Sequence, residues 1–521
     1  MRTLIKLVFF LVIVAIGGLI AIPFIVDPND YKQEISTQIE KATGRTLTLD
    51  GDINLSVFPW IALELGPLTL SNAKGFTADH FAKVQAAEIR IKLMPLLNKQ
   101  LEMDTIILDG LVLNLEKDKS GKTNWDDLTG GTNAKDSDKT SEPTEKSDAG
   151  TPTLAAISIA GVQLTNANIL WSDATTAESY SLENLNLNTD PLVPGQPTAV
   201  EMNFDIASSK PQAKAHISLT TNVMVDLKNQ QYALSDLHFT THIEGKDLPF
   251  SSTDLDLKGD INADMAKQLV LIDGLSLTAK AQKDKQTIEV KLSAEVSSNL
   301  AKQQTSLKSL ELIAEIVDPA LPGGKTNIEL STDISADLQQ QTLQLKNLMV
   351  EAHDLLINGD INISKLLSDN PAFTGNIDIN PFNLRQLAKQ LAIELPTMAD
   401  DTTLELVQLS TQFEGSTNSI NATTLNITLD QSKLSGNIAI TNFSQPAINF
   451  NLALDEIDVD RYLPPVEEGE KPAAAPPAAA AAAGASQLPL ETLRQLNAKG
   501  VLDIGKLKVS GTRSENIHIE L

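Results

Sequence analysis

Six histidines, no cysteine and 67 acidic side chains are the chemical raw material of this 521-residue chain. His238 and His242 form its close histidine pair. Four residues apart on a strand they share the polar face, but at about 3.3 Å per residue they sit about 13 Å apart, too far to share one ion. They read as solvated. Asp254, Asp256, Asp260 and Asp264 hint at calcium, yet Lys258 occupies a ligand position of the EF-hand pattern. "PGGKT" at 322–326 ends like a phosphate loop, but Pro319 stands where the first glycine must be. No paired-histidine zinc motif and no Gly-x-Ser-x-Gly elbow occurs. Lack of cysteine removes thiolate catalysis, disulfides and lipoprotein acylation. No catalytic, metal or cofactor site is expected, and the chain does not read as an enzyme.

The elements that would carry such residues say more. A chain of 521 residues exceeds one hydrophobic core, so it must divide into domains or extend as a repeat array. Its formal charge of −26 disfavours nucleic acid and anionic lipid heads as partners, and reads as a solubilising surface. Arg2 and Lys6 precede residues 7–26, a run of 20 without a charge. At 1.5 Å per residue that run spans about 30 Å, one hydrocarbon core. Leu7, Phe9, Phe10, Val14, Ile20, Phe24 and Val26 make it a membrane anchor. A cleavable signal peptide is the alternative, because Ala15-Ile16-Gly17 has small residues at cleavage spacing. The apolar run continues well past that point, so an uncleaved anchor is expected. The leading positive charges keep the N-terminus cytoplasmic and send everything after Asp27 across the membrane.

Residues 28–43 predict a helix, with Asp27 as cap, Pro28 at the first position and Gly44 as stop. Tyr31, Ile35 and Ile39 give it one apolar stripe, expected to plug the end of a β core. Beyond it the hydrophobic period switches from 3.6 to 2. Leu425, Ile427 and Leu429, then Ile438 and Ile440, then Ile448, Phe450, Leu452 and Leu454 alternate with polar residues. This predicts an antiparallel meander with one apolar and one polar face. Similar alternation marks 68–70, 157–159, 185–187, 237–243, 255–257 and 343–345.

"GDIN" recurs at 51–54, 259–262 and 359–362, echoed by "TGNIDI" at 374–379 and "SGNIAI" at 435–440. Glycine freedom and local Asx bonding make these read as hairpin corners of a repeated β unit, through ancestral repetition or convergent turn chemistry. Residues 129–153 hold no apolar residue larger than alanine and are expected to be disordered. Residues 464–487 form a Pro/Ala-rich tether. Capping helices are expected at 383–395, with Leu384, Leu387, Leu391 and Leu395 on one face, and at 490–498. The chain thus divides into an anchor (1–26), an α+β cap with the first β unit (27–128), a linker (129–153), a repeated β region (154–463), the tether (464–487) and a β unit at 488–521 that stops mid-strand.

Residues 27–76, "DPNDYKQEISTQIEKATGRTLTLDGDINLSVFPWIALELGPLTLSNAKGF", closely resemble the N-terminus of AsmA-family proteins of Gram-negative bacteria. "LDGLVLNL" at 108–115, "GKTNWDDL" at 121–128, "INPFNLRQLAKQLAIELP" at 379–396 and "DEIDVDRYLPP" at 455–465 are similar to that family as well, in its order. Residues 155–375 match only in style. The resemblance implies a single-pass inner-membrane protein whose periplasmic bulk is an elongated, curled β groove, tied to outer-membrane biogenesis. Relatives of the family, with chorein-type bridge proteins, are thought to conduct lipid between membranes. Family members continue through a longer C-terminal region after the tether, so 488–521 is expected to be incomplete.

A sheet that is apolar on one face must cover that face with protein or lipid. Curled into a gutter, it offers acyl chains a dry path with its polar side in the periplasm. The expected partner is a phospholipid or other acyl-chain lipid, lying on the nine alternating residues at 425–454. The inner membrane and outer-membrane or periplasmic assembly factors are further partners; nucleic acid is not. The alternative is a non-transporting structural or regulatory scaffold for outer-membrane protein or lipopolysaccharide assembly, its groove filled by its own side chains. A periplasmic enzyme comes third, for want of a constellation. For the anchor, N-terminal sequencing of the membrane-bound protein should give a start before Gly18; a mature start at Gly18 or later would sink it.

Overall fold

The computed structural model describes residues 27–57, 60–92, 103–128, 161–191, 193–465 and 497–521. The expected anchor at 7–26, the linker 129–153, the strand at 157–159 and the tether beyond residue 465 lie outside them. Among the described residues no helix is long and apolar enough to cross a membrane. The protein is mainly β, and it forms two compact units: Met1–Lys267 with Ala279–Lys283, and Gln268–Thr278 with Asp284–Leu521.

Most strands pair with their sequence neighbours, as an alternating chain with short turns must. In the first unit Gly161–Asp173, Glu178–Thr189, Thr198–Ser209, Gln212–Asp226, Gln231–Gly245 and Ser252–Asp264 form an antiparallel meander. In the second, ten strands from Gln286–Asn299 to Ala447–Asp458 do the same. The wholly antiparallel sheet expected above is corrected at two joins. Gly161–Asp173 runs parallel to Met103–Asp109 and Val112–Lys117, and Asn497–Val509 runs parallel to Ala447–Asp458. Both joins follow the two longest connections, because a parallel pair needs a long crossover where an antiparallel pair needs only a turn.

The "GDIN" copies are not hairpin corners. Gly259 and Gly359 lie inside Ser252–Asp264 and Leu355–Ser364, each opposite a place where the neighbouring strand carries an extra residue. Such a bulge leaves a backbone N–H without a ladder partner. The aspartate of the motif supplies one: Asp260 Oδ1 accepts the Asp236 N–H at 2.7 Å, and Asp360 Oδ1 accepts the Asn347 N–H at 2.9 Å. Asp333 does the same for Ser309 at 2.9 Å. Glycine is there for closeness, since a Cβ at residue 359 would lie 2.3 Å from the Asn376 carbonyl oxygen. Gly51 sits between Leu47–Leu49 and Ile53–Ser56, where a Cβ would lie 2.4 Å from Pro67. Gly375 and Gly436, of the two echoing hexapeptides, are also mid-strand.

The true corners carry another signature. In "DLKNQ" (226–230), "DMAKQ" (264–268), "NLAKQ" (299–303) and "DLQQQ" (337–341), the leading Asx side chain accepts the N–H three residues on, at 2.8–3.0 Å. The closing glutamine takes the left-handed conformation, with φ between 52° and 55°. These corners recur at intervals of 38, 35 and 38 residues, two strands per repeat.

Helices are few. A 3-10 turn, Pro28–Tyr31, leads into α1, Lys32–Thr43; Asp27 caps the turn, and Gly44 ends α1 at φ 71°. Its apolar stripe does not plug a core: Tyr31 and Ile35 are 56% and 40% exposed. Polar bonds hold this segment to the first strands instead. Asn29 exchanges side-chain bonds with the Ile53 backbone at 2.9 and 3.1 Å, and the Ser36 hydroxyl donates to the Leu47 carbonyl. The second helix, α2, is Leu384–Gln390, shorter than expected, and Leu391 beyond it is exposed. Of the helix expected at 490–498, Asn497 and Ala498 belong to the strand Asn497–Val509, and the rest lies outside the described residues.

Asp360→Ala should cost about 1 kcal/mol by orphaning the Asn347 N–H, while Asp360→Asn, which keeps an acceptor, should stay near wild type. Urea midpoints decide it; equal midpoints for both variants would refute the sealing role.

Candidate functional site

Among the described residues the second unit carries an extended apolar sheet face. Across twelve strands of the second unit, Leu292, Leu312, Leu330, Val350, Ile357, Ile379, Leu409, Ile427, Leu434, Leu454, Ile504 and Ile517 stand in direct cross-strand register. At about 4.8 Å per strand the row's contour is about 50 Å. Only Ile504 is fully buried; the other eleven are half-buried. Element contacts run mainly between sheet neighbours, and α2 meets the turn residue Asp354 and the loop Pro322–Gly324. The first unit carries a shorter row of the same kind, Leu164, Leu187, Met202, Leu219, Phe239 and Leu257, all half-buried.

The nine residues singled out at 425–454 sit on this face of the second unit. Ile427 and Leu454 belong to the long row. Ile438 opposes Phe450, Ile440 opposes Ile448, and Leu425 and Leu452 flank Gly436 on either side. Leu429 opposes buried Ser432. All nine are half-buried. The anchor residues lie outside the described residues.

The residues weighed above for catalysis or metal binding serve the backbone or one another. His242 lies 2.6 Å from Asp254, and His238 3.4 Å from Asp256. Asp260 seals a bulge and Asp264 closes a corner. "PGGKT" turns a hairpin, with Gly323 and Gly324 both left-handed at φ 74° and 72°.

Two polar knots, the first buried and the second half-buried, fasten the residues that carry the family resemblance. In the first unit Arg45, 2% exposed, donates to Asp127 at 2.6 and 3.1 Å and lies 4.5 Å over the Phe81 ring. Asn124, fully buried, donates to Asn72 and to the Asn114 carbonyl and accepts the Glu116 N–H, all within 2.9 Å. In the second unit Arg461 donates to Asp400 at 2.6 Å, and the Tyr462 hydroxyl to Asp430 at 2.7 Å. Asp430 also accepts the N–H groups of Leu404, Glu405 and Leu406. Burial, then the bond to Asp430, pushes the Tyr462 phenol far up. The Thr402 hydroxyl and N–H, then Arg461, hold Asp400 down at about 2. Isolated residue types could not forecast these knots, because their partners lie up to 82 residues apart.

An open sheet with an apolar row along one face, present in each unit, defines a mainly-β protein of extended meanders. The chain belongs to the AsmA family, whose model matches residues 2–521. It is 29% identical over 115 residues to Protein AsmA of Escherichia coli (strain K12), a stretch covering 22% of this chain and 18% of that relative. No solved structure matches.

The Asp400 bonds give a pH test. Its folded-state pKa lies below the ordinary 3.8, so its stabilisation is complete above about pH 4 and is lost as pH falls through about 2. Melting temperatures of wild type and Asp400→Asn should differ at pH 6 and converge toward pH 2. A constant gap would contradict the assignment.

Proposed function

We propose that this is an inner-membrane-anchored periplasmic protein of outer-membrane biogenesis that holds or conducts phospholipid acyl chains along its apolar β face, between inner and outer membrane. Family membership supports the envelope setting. The observation that carries the lipid reading is the twelve-strand row whose side chains, Ile504 apart, are neither packed shut nor left fully in water. Half-buried aliphatic side chains retain apolar surface to give to a ligand. At about 0.8 kcal/mol per methylene, half-shielding a chain of about sixteen carbons contributes on the order of 6 kcal/mol. One leaflet's hydrocarbon is about 15 Å deep, so a row of about 50 Å accommodates a tail at several successive positions. The family's fold and this face together favour curling of the sheet into a groove, with Leu425, Ile427, Leu429, Ile438, Ile440, Ile448, Phe450, Leu452 and Leu454 lining it.

Charge on the face tests this. Ile427→Asp and Ile440→Asp place a carboxylate against acyl chains, unfavourable by several kcal/mol unless water enters. Both variants should fold and reach the envelope, yet lose co-purifying lipid by mass spectrometry and leave cells detergent-sensitive. Asn426→Asp, on the opposite face, should behave as wild type. Misfolding of both aspartate variants would indicate a closed core and the scaffold role instead. Full lipid retention would end the groove reading.

A further inference from the structure

Two histidines far apart in chain order face each other across neighbouring strands of the first unit. His216 on Gln212–Asp226 is in direct register with His242 on Gln231–Gly245. Asp205 stands opposite His216 on one side, and Asp254 opposite His242 on the other. Four strands therefore present the polar-face row Asp205, His216, His242, Asp254. Each imidazole is held through the same ring atom: His216 Nδ1 lies 2.7 Å from Asp205 Oδ1, and His242 Nδ1 lies 2.6 Å from Asp254 Oδ1. A carboxylate at Nδ1 keeps the proton of a neutral imidazole there and leaves the Nε2 lone pair free to bind. The two side chains are 58% and 50% exposed, so the imidazoles are open to solvent.

We propose that His216 and His242 bind one divalent cation of the borderline class (Zn²⁺, Ni²⁺ or Cu²⁺) through their Nε2 atoms, with Asp205 and Asp254 as positioning residues. Directly opposed strand residues have Cβ atoms about 5 Å apart, close enough for two imidazoles to meet an ion at about 2 Å. A cleft of about 330 Å³ opens over the pair and takes in Glu183 and Glu244, which make its rim acidic; Lys214, in register with Glu244, is its one lining cation. Among the described residues no group of three His, Asp or Glu ligands converges on a metal, so water completes the shell. Two imidazoles with water favour this class over Ca²⁺ and Mg²⁺, which prefer oxygen ligands. The bound ion would staple Gln212–Asp226 to Gln231–Gly245 on the face opposite the apolar row. His238, on the same strand as His242, opposes Lys258 and provides an internal control.

Zn²⁺ titration of the detergent-solubilised full chain near neutral pH, against a chromogenic chelator, tests the site. One ion per chain should bind, at least about tenfold more weakly in His216→Asn and in His242→Asn, and unchanged in His238→Asn. Asp254→Asn should weaken Zn²⁺ binding while leaving the metal-free melting temperature in place, and Ca²⁺ should not compete. Metal-free melting temperatures equal to wild type in the histidine variants show that they fold; if one does not fold, the other histidine variant carries the test. Wild-type affinity in either, equal loss in His238→Asn, or no binding to the wild-type chain at millimolar Zn²⁺ overturns the proposal.

Discussion

Everything in this structure depends on keeping apolar residues in step across many strands. A strand alternates faces with a period of two, so a slip of one residue turns its whole apolar set to the other side. The twelve-residue row of the second unit survives because none of the seven register shifts among its strand pairs changes that parity. At each bulge the strand inserts one extra residue and resumes on the same face, as from Leu345 to Leu348 opposite Ile361 and Gly359. At Asp236, Ser309 and Asn347 the inserted N–H would be left without a ladder partner, and an aspartate of the next strand takes it up. Bulges also bend and twist a strand, so a column of them is the local device by which such a sheet acquires curvature.

That device is written in the sequence in residue types that also form turns. The period-two alternation located the strands and the shared face of residues 425–454 without help from structure. The "GDIN" tetrapeptide has the composition of a corner because Gly, Asp and Asn are turn formers. In these strands the same chemistry serves a neighbour's bulge, a role that depends on pairing across strands. The legible signal was a break in the alternation: "LSDL" at 234–237, "LKSL" at 307–310 and "LKNL" at 345–348 place apolar residues three apart, with Asp236, Ser309 and Asn347 left-handed between them. The corners, in turn, were legible in the recurring Asx-to-Gln spacing rather than in glycine.

Cross-strand adjacency also decides what residue spacing alone leaves open. His238 and His242 are close in sequence and both exposed, while the partner that register gives His242 is His216. The stripe of Tyr31 and Ile35 had the spacing of a buried face, but α1 meets the first strands through Asn29 and Ser36 and leaves the stripe outside. Periodicity reports which residues share a face; it does not report what that face meets. The parallel joins could have been inferred from the two long linkers, whose length permits a crossover that a hairpin turn forbids.

The polar knots complete the physical picture. A one-layer sheet has little fully buried apolar surface, so each fully buried residue weighs heavily. Arg45 and Asn124 in one unit, and in the other buried Thr403, whose hydroxyl donates to the Asp400 carbonyl at 2.8 Å beside half-buried Arg461, Tyr462 and Asp430, concentrate charge-assisted bonds where loops meet strand ends. Such bonds are strong when buried and costly to break on one side only. On the proposed function, rigidity supplied there would leave part of the apolar face available to a ligand. Lipophilic side chains that are not needed as a core can remain half-buried, and a surface in that condition can exchange a ligand without unfolding the protein that carries it.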